Sequence, residues 1–107
     1  MVRVLFLDDE ELALDALRRQ LRSQRNEWDM EFVTTPSAAL QSSAERPPDV
    51  VVTDLRLGEM DGVALLKEVA KNWPSAVRIV LSGMVNQRSF VESVGVAHQF
   101  LPKPIDF

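Results

Sequence analysis

Cysteine is absent from this chain of 107 residues, which removes disulfides, thiolate metal sites and a cysteine nucleophile together. Histidine occurs once, as His98, so a zinc site of paired imidazoles or thiolates has no donor set. Positive charge is in short supply: 12 Lys and Arg stand against 16 Asp and Glu, for a net charge of -4. That balance argues against nucleic acid as a direct partner, because phosphate binding needs clustered cations. No apolar run approaches the roughly 20 residues of a membrane-spanning helix. The opening run Val2 to Leu7 meets acid at Asp8, too soon for a secretory signal, so the expectation is a cytoplasmic chain without a leader or membrane contact. Repeats, low-complexity tracts and linkers are also missing, which leaves one domain's worth of chain.

What is present is an alternation of apolar runs and amphipathic stretches. Val50-Val51-Val52-Thr53-Asp54, entered from Pro47-Pro48-Asp49, is a β-branched run that ends on a carboxylate. An apolar run this short, bounded by turn residues, reads as a strand buried on both faces. Val2 to Leu7 reads the same way, and Arg3 at its start does not break the run. Leu14, Leu17 and Leu21 recur at helical spacing, predicting an amphipathic helix over 10–25. Met30, Phe32 and Thr34 alternate with Glu31 and Val33 in an edge strand over 29–34. Thr35-Pro36 is a helix start, with Thr as N-cap and Pro at the first helical position. Further helices are predicted from Val63 to Ala70 and over 86–94, the second ended by Gly95. Strands are predicted over 77–81 and 99–101. Trp28 and Trp73 fall at helix-to-strand joins and read as packing residues. Strands and helices that alternate with short connections imply an α/β fold, with parallel strands joined by right-handed crossovers and helices on both faces.

In such a sheet, chemistry gathers beyond the carboxyl ends of the strands. The first strand ends at Asp8-Asp9, the third at Asp54, the fourth at Ser82 and the fifth at Lys103. Three carboxylates, a hydroxyl and an ammonium therefore converge on one edge. The like charges call for a hard cation with oxygen ligands, and Mg²⁺ takes one or two carboxylates plus water and phosphate. A remaining carboxylate can act as a nucleophile toward a phosphoryl group, giving an aspartyl-phosphate. The metal and Lys103 would meet the phosphoryl charge from two sides, with Ser82 as a hydrogen-bond donor. Taken singly, each residue has a plainer reading: Asp8 and Asp9 as helix caps, Asp54 as a turn former, Ser82 as a loop residue, Lys103 as a solvated cation.

Taken together, Leu7-Asp8-Asp9-Glu10, Asp54 followed by Met60-Asp61-Gly62, Ser82-Gly83 and Phe100-Leu101-Pro102-Lys103-Pro104 resemble the receiver domain of two-component response regulators. The resemblance runs along the whole chain in order. It implies a doubly wound, flavodoxin-like five-stranded parallel sheet in the order 2-1-3-4-5. It implies that Asp54 accepts a phosphoryl group from a histidine kinase or phosphotransfer protein, that Asp9 binds Mg²⁺ directly and Asp8 through water, and that the Arg56 backbone carbonyl is a further ligand. Lys103 would pair with the phosphoryl group, Ser82 would swing toward it, and Phe100 would be the aromatic switch. Arg56 and Met84 would flank the attacking water and slow hydrolysis, and the Lys103-Pro104 peptide would be cis. The implied role is a signalling phosphoacceptor rather than an enzyme, controlling an output domain or effector protein, with a homodimer as a further expected assembly.

The chain also departs from the family pattern. Leu57-Gly58 stands where Met-Pro is frequent, Gly83 where Ala is common, and Pro102 beside Lys103 is unusual. The family's receivers continue into a fifth helix, so residues 1–107 read as a receiver truncated before that helix, with the output region absent. The missing helix is expected to leave Leu101 and Val80 uncovered. The run Gly95 to Leu101 resembles receivers fused to HDOD or other signalling domains. Two other readings remain: a pseudo-receiver that binds partners without phosphorylation, and a haloacid-dehalogenase-type phosphatase. The phosphatase motif would pair Asp8 with an Asp at the position of Glu10, which is a mismatch.

Overall fold

The structure is a computed structural model that describes residues 1–54, 62–82 and 99–102. Strands β1 (Val2–Leu7), β2 (Trp28–Val33), β3 (Val50–Asp54), β4 (Val77–Ser82) and β5 (Gln99–Pro102) form one parallel sheet in the order β2-β1-β3-β4-β5. Helices α1 (Glu11–Gln20), α2 (Pro36–Glu45) and α3 (Gly62–Asn72) connect the strands. The alternating pattern and the strand order both match the sequence expectation. The expected helix over 86–94 lies outside the described residues.

Side-chain alternation along β1 divides the core into two layers. Leu5 and Leu7 point to one face, where they pack with Val51, Val80, Ala39 of α2, and Val63, Leu66 and Val69 of α3. Val4 and Phe6 point to the other, where they pack with Val52, Leu81, Leu14 and Leu17 of α1, and Leu21 just after it. Because successive strand residues face opposite ways, a strand covered on both sides must be apolar throughout. Trp73 joins the first layer and Trp28 the second, as their reading as packing residues requires. Phe6 and Phe32, register partners on β1 and β2, stack with ring centroids 4.9 Å apart.

Several features differ from the sequence reading. The α-helix predicted over 10–25 stops at Gln20, and a 3-10 turn, Arg22–Gln24, follows. The apolar period ends at Leu21, and no residue of that turn is buried, so nothing draws further α-helical turns onto the sheet. β2 begins one residue earlier than expected, because Trp28 pairs with Val2 and packs into the α1 layer. Val80 is not left uncovered: it is 0% exposed in the layer beneath α2 and α3, since its parity on β4 turns it away from the α1 face. The start of α2 follows expectation, with Pro36 in the first turn and the Thr35 hydroxyl accepting from the Ala38 N–H at 3.1 Å.

Arg3 is the polar exception in β1. It is only 6% exposed and lies on the α2 face, so its guanidinium must be satisfied internally. Nε donates to the Arg46 carbonyl at 2.9 Å, and one terminal nitrogen donates to Ser42 Oγ at 2.7 Å and to Glu31 at 3.1 Å. Its backbone N–H donates to the Asp49 carboxylate, and its carbonyl accepts from the Asp49 N–H. The Asp49 carbonyl in turn accepts from Val77 N–H, so β1, β3 and β4 are tied at their amino ends through one residue. Arg46 also pairs closely with Asp29 of β2.

Replacing Arg3 with Met keeps the volume and removes these donors. We expect a loss of about 2 kcal/mol in urea unfolding, with the sheet retained by far-ultraviolet circular dichroism. A variant as stable as the parent would mean the network is neutral.

Within the same network the Ser42 hydroxyl holds the Glu31 carboxyl below its ordinary value; burial opposes this, and Arg3 and then Arg46 reinforce it. A carboxyl depressed in the folded state stabilises above its unfolded pKa of about 4.3 and loses that contribution as pH falls through the lower folded value. Glu31→Gln should therefore flatten the acid side of the stability profile below about pH 4.3, with little change in slope near neutrality. Melting temperatures measured from acid to neutral pH would check this.

Candidate functional site

The strand ends place the site. β1 runs out at Leu7, and Asp8 follows it directly, 2% exposed. Its backbone N–H donates to the Val33 carbonyl at 3.2 Å, which holds it against the end of β2. Its Oδ1 accepts from the Glu10 N–H at 3.0 Å, a bond that turns the chain into α1. The N-cap position itself belongs to Glu10, with no side-chain cap bond. The plain helix-cap reading of Asp8 and Asp9 therefore does not describe them. Asp8 shapes the turn one step earlier, and Asp9 is exposed beside it.

Asp54 closes β3, the central strand, and is half-buried. The Thr53 hydroxyl ahead of it is fully buried and donates to the Asp54 carbonyl at 2.9 Å. Asp8, Asp9 and Asp54 each offer a carboxylate oxygen, and the three oxygens lie within 4.8 Å of one another. Ligand oxygens on one octahedral Mg²⁺ stand about 3 to 4 Å apart. The cluster is thus of the right donor type for a hard cation. Glu11, the acidic residue in the first turn of α1, and the helix's positive end add opposite contributions to the local field.

β4 ends at Ser82 and pairs it with Pro102 at the end of β5, so both strands terminate on the same edge as the three carboxylates. Phe100 lies within β5, in register with Val80. Arg56, Met84, Lys103 and Pro104 lie outside the described residues, as do Gly58, Met60, Asp61, His98 and Gly95. The structure thus brings together Asp8, Asp9 and Asp54 and sets the strand of Ser82 beside the strand that leads to Lys103. The network around Arg3 is what sequence reasoning missed. The signals were a cation inside an apolar strand and acids at alternate positions, Asp29 and Glu31, on the strand that turned out to neighbour it.

No helix among the described residues is long and apolar enough to cross a membrane. Comparison with known proteins agrees with the geometry. The family model described as "Response regulator receiver domain" matches residues 4–107. The hydrogenase transcriptional regulatory protein HoxA of Cupriavidus necator is 39% identical over 94% of the chain, which spans 21% of that protein. The transcriptional regulatory protein KdpE of Mycobacterium tuberculosis is 35% identical over 97% of the chain and 45% of its own length. The chain thus spans less than half the length of these relatives. The crystal structure of a signal receiver domain from an HD domain-containing protein of Pseudomonas fluorescens superposes with a TM-score of 0.91. It is 28% identical, covering 98% of this chain and 84% of that one. With the sheet order, the carboxylate cluster and a match over residues 4–107 in agreement, the chain belongs to the receiver domain family of response regulators.

Proposed function

We propose that this receiver accepts a phosphoryl group on Asp54 from a histidine kinase or a phosphotransfer protein. The resulting change would control an output region of a longer protein or a separate effector. The observation that carries the reading is the cluster of Asp8, Asp9 and Asp54, with Asp54 on the central strand of the sheet. In the transfer, an Asp54 carboxylate oxygen attacks phosphorus in line. The bond from phosphorus to the donor's imidazole nitrogen breaks, and the electron pair leaves with that nitrogen. Bound Mg²⁺ supplies counter-charge to the phosphoryl oxygens. Asp9, Asp54 and the Arg56 carbonyl would hold it directly, and Asp8 through water.

Lys103, just beyond β5, pairs with the product's phosphoryl oxygens in this reading, and the Ser82 hydroxyl moves to hydrogen-bond another. Phe100 then reports the position of Ser82 to the outer face. Arg56 and Met84 flank the path of the attacking water. The group is gained and lost by the protein itself, so the chain is a signalling component rather than a turnover enzyme. HoxA and KdpE are named as transcriptional regulatory proteins, and the solved receiver comes from an HD domain-containing protein. Those names, with the part of each relative that the chain spans, support a longer protein with an attached output region.

Incubation with acetyl phosphate and Mg²⁺ should add one phosphoryl group by intact mass, and Asp54→Asn should abolish the gain. Uptake that survives the substitution would move the site elsewhere. Continuous release of phosphate from the donor would indicate a phosphatase, and no uptake at all would indicate a pseudo-receiver.

Asp9→Ala should weaken Mg²⁺ binding in calorimetry by roughly tenfold or more, about 1.4 kcal/mol. Relief of like-charge repulsion should hold or raise the melting temperature of the metal-free protein. Unchanged Mg²⁺ affinity would remove Asp9 from the ligand set.

A further inference from the structure

The second half of α1 and the turn after it carry Arg18, Arg19, Arg22 and Arg25, a basic run in a chain whose net charge is -4. All four line one groove of about 570 Å³. Its other wall is apolar: Trp28, Met30 and Phe32, the residues of β2 that face α1. Arg18 is already engaged, paired with Asp15 at 2.7 Å and stacked 4.9 Å from the Phe32 ring centroid. Arg19, Arg22 and Arg25 make no ion pair among the described residues. Asp29 also borders the groove, but its carboxylate is committed to Arg46 and Arg3. A solvated helix face needs no apolar wall opposite it; this one has three large side chains, each only half-buried.

β2 is the outermost strand and pairs only with β1 among the described strands. The groove therefore offers an apolar wall along β2 and a cationic rim along α1 and the turn after it. A second copy of the chain fits poorly, because a twofold pairing of β2 edges would set the same arginines against each other. Nucleic acid is opposed by the negative charge of the molecule as a whole. What remains is a polypeptide of the opposite charge.

We propose that this groove docks an extended acidic polypeptide segment. Its apolar side chains sit on Trp28, Met30 and Phe32, and its carboxylates pair with Arg19, Arg22 and Arg25. Trp28 is level with Val2, so that end of the groove is a strand's length, about 20 Å, from the carboxylate edge. Docking there is separate from phosphoryl transfer and does not rest on it.

The test uses fluorescein-labelled peptides of about eight residues, long enough to run along β2 at about 3.3 Å per residue. One peptide alternates Glu with Leu and Phe; a second has Lys in place of every Glu; a single-stranded oligonucleotide serves as the third probe. Fluorescence anisotropy should show saturable binding of the acidic peptide alone, weakened as salt rises from about 0.05 to 0.3 M. Arg22→Glu with Arg25→Glu should lower the affinity at least about tenfold. Arg22→Lys with Arg25→Lys should retain most of it. These side chains are exposed, so circular dichroism of each variant should match the parent. Absence of acidic-peptide binding at about 1 mM, which is about -4 kcal/mol or weaker, overturns the proposal. So does equal binding of the Lys peptide, indifference to the charge reversal, or tighter binding of the oligonucleotide.

Discussion

A strand covered on both faces has no side on which to keep a polar group, and that constraint organises this molecule. β1 and β3 pass through the middle of the sheet between α1 on one face and α2 and α3 on the other. Their interiors are filled by Val, Leu and Phe, with fully buried Thr53 just before the end of β3. Carboxylates therefore gather at the strand ends, on the last residue or just beyond it. Because the strands are parallel, their carboxyl ends fall on one edge, and Asp8, Asp9 and Asp54 meet there from distant positions in sequence. The acidic cluster follows from the same packing that makes the sheet stable.

Arg3 shows what it costs to break that rule. A guanidinium in an apolar layer is tolerated only when nearly every donor finds an acceptor. Here the guanidinium's acceptors come from β2, from α2 and from the chain after α2. The result is a polar clasp at the amino end of the sheet, one strand's length from the acidic edge. Asp49 extends it, exchanging two bonds with the Arg3 backbone and accepting a third from Val77. These directional bonds add to the register that burial of the strand faces already specifies.

Most of this was legible in the sequence because the strongest signals were local and periodic. The runs at Val2 to Leu7 and Val50 to Asp54 had no polar face, and Leu14, Leu17 and Leu21 had helical spacing. The positions of Asp8, Asp9 and Asp54 at strand ends then fixed the candidate site, once parallel pairing was assumed. The misread features were those that depend on which element lies alongside. Val80 was assigned to the wrong face because parity alone does not say which helix covers which side. The end of α1 was extended into 22–25 because polar residues continue a helix on paper, whereas only burial continues it in the fold. Arg3 was passed over because its partners sit on strands and loops far along the chain.

Charge along α1 ties the two ends of the molecule together. The helix opens with acid, Glu11, and closes with Arg18 and Arg19, the arrangement that its own dipole favours. Its first turn stands beside Asp8, Asp9 and Asp54, and its last turn beside Trp28 and Met30 of β2. The strand-end carboxylates thus present a negative field at the carboxyl edge, and the arginines of α1 and the turn after it a positive one along the β2 edge. A hard cation approaching the first edge meets carboxylates. An acidic segment approaching the second meets guanidiniums and needs nothing further. The two surfaces select opposite chemistries, so ligands of one are repelled by the other, and a single small domain keeps them apart by the length of its strands.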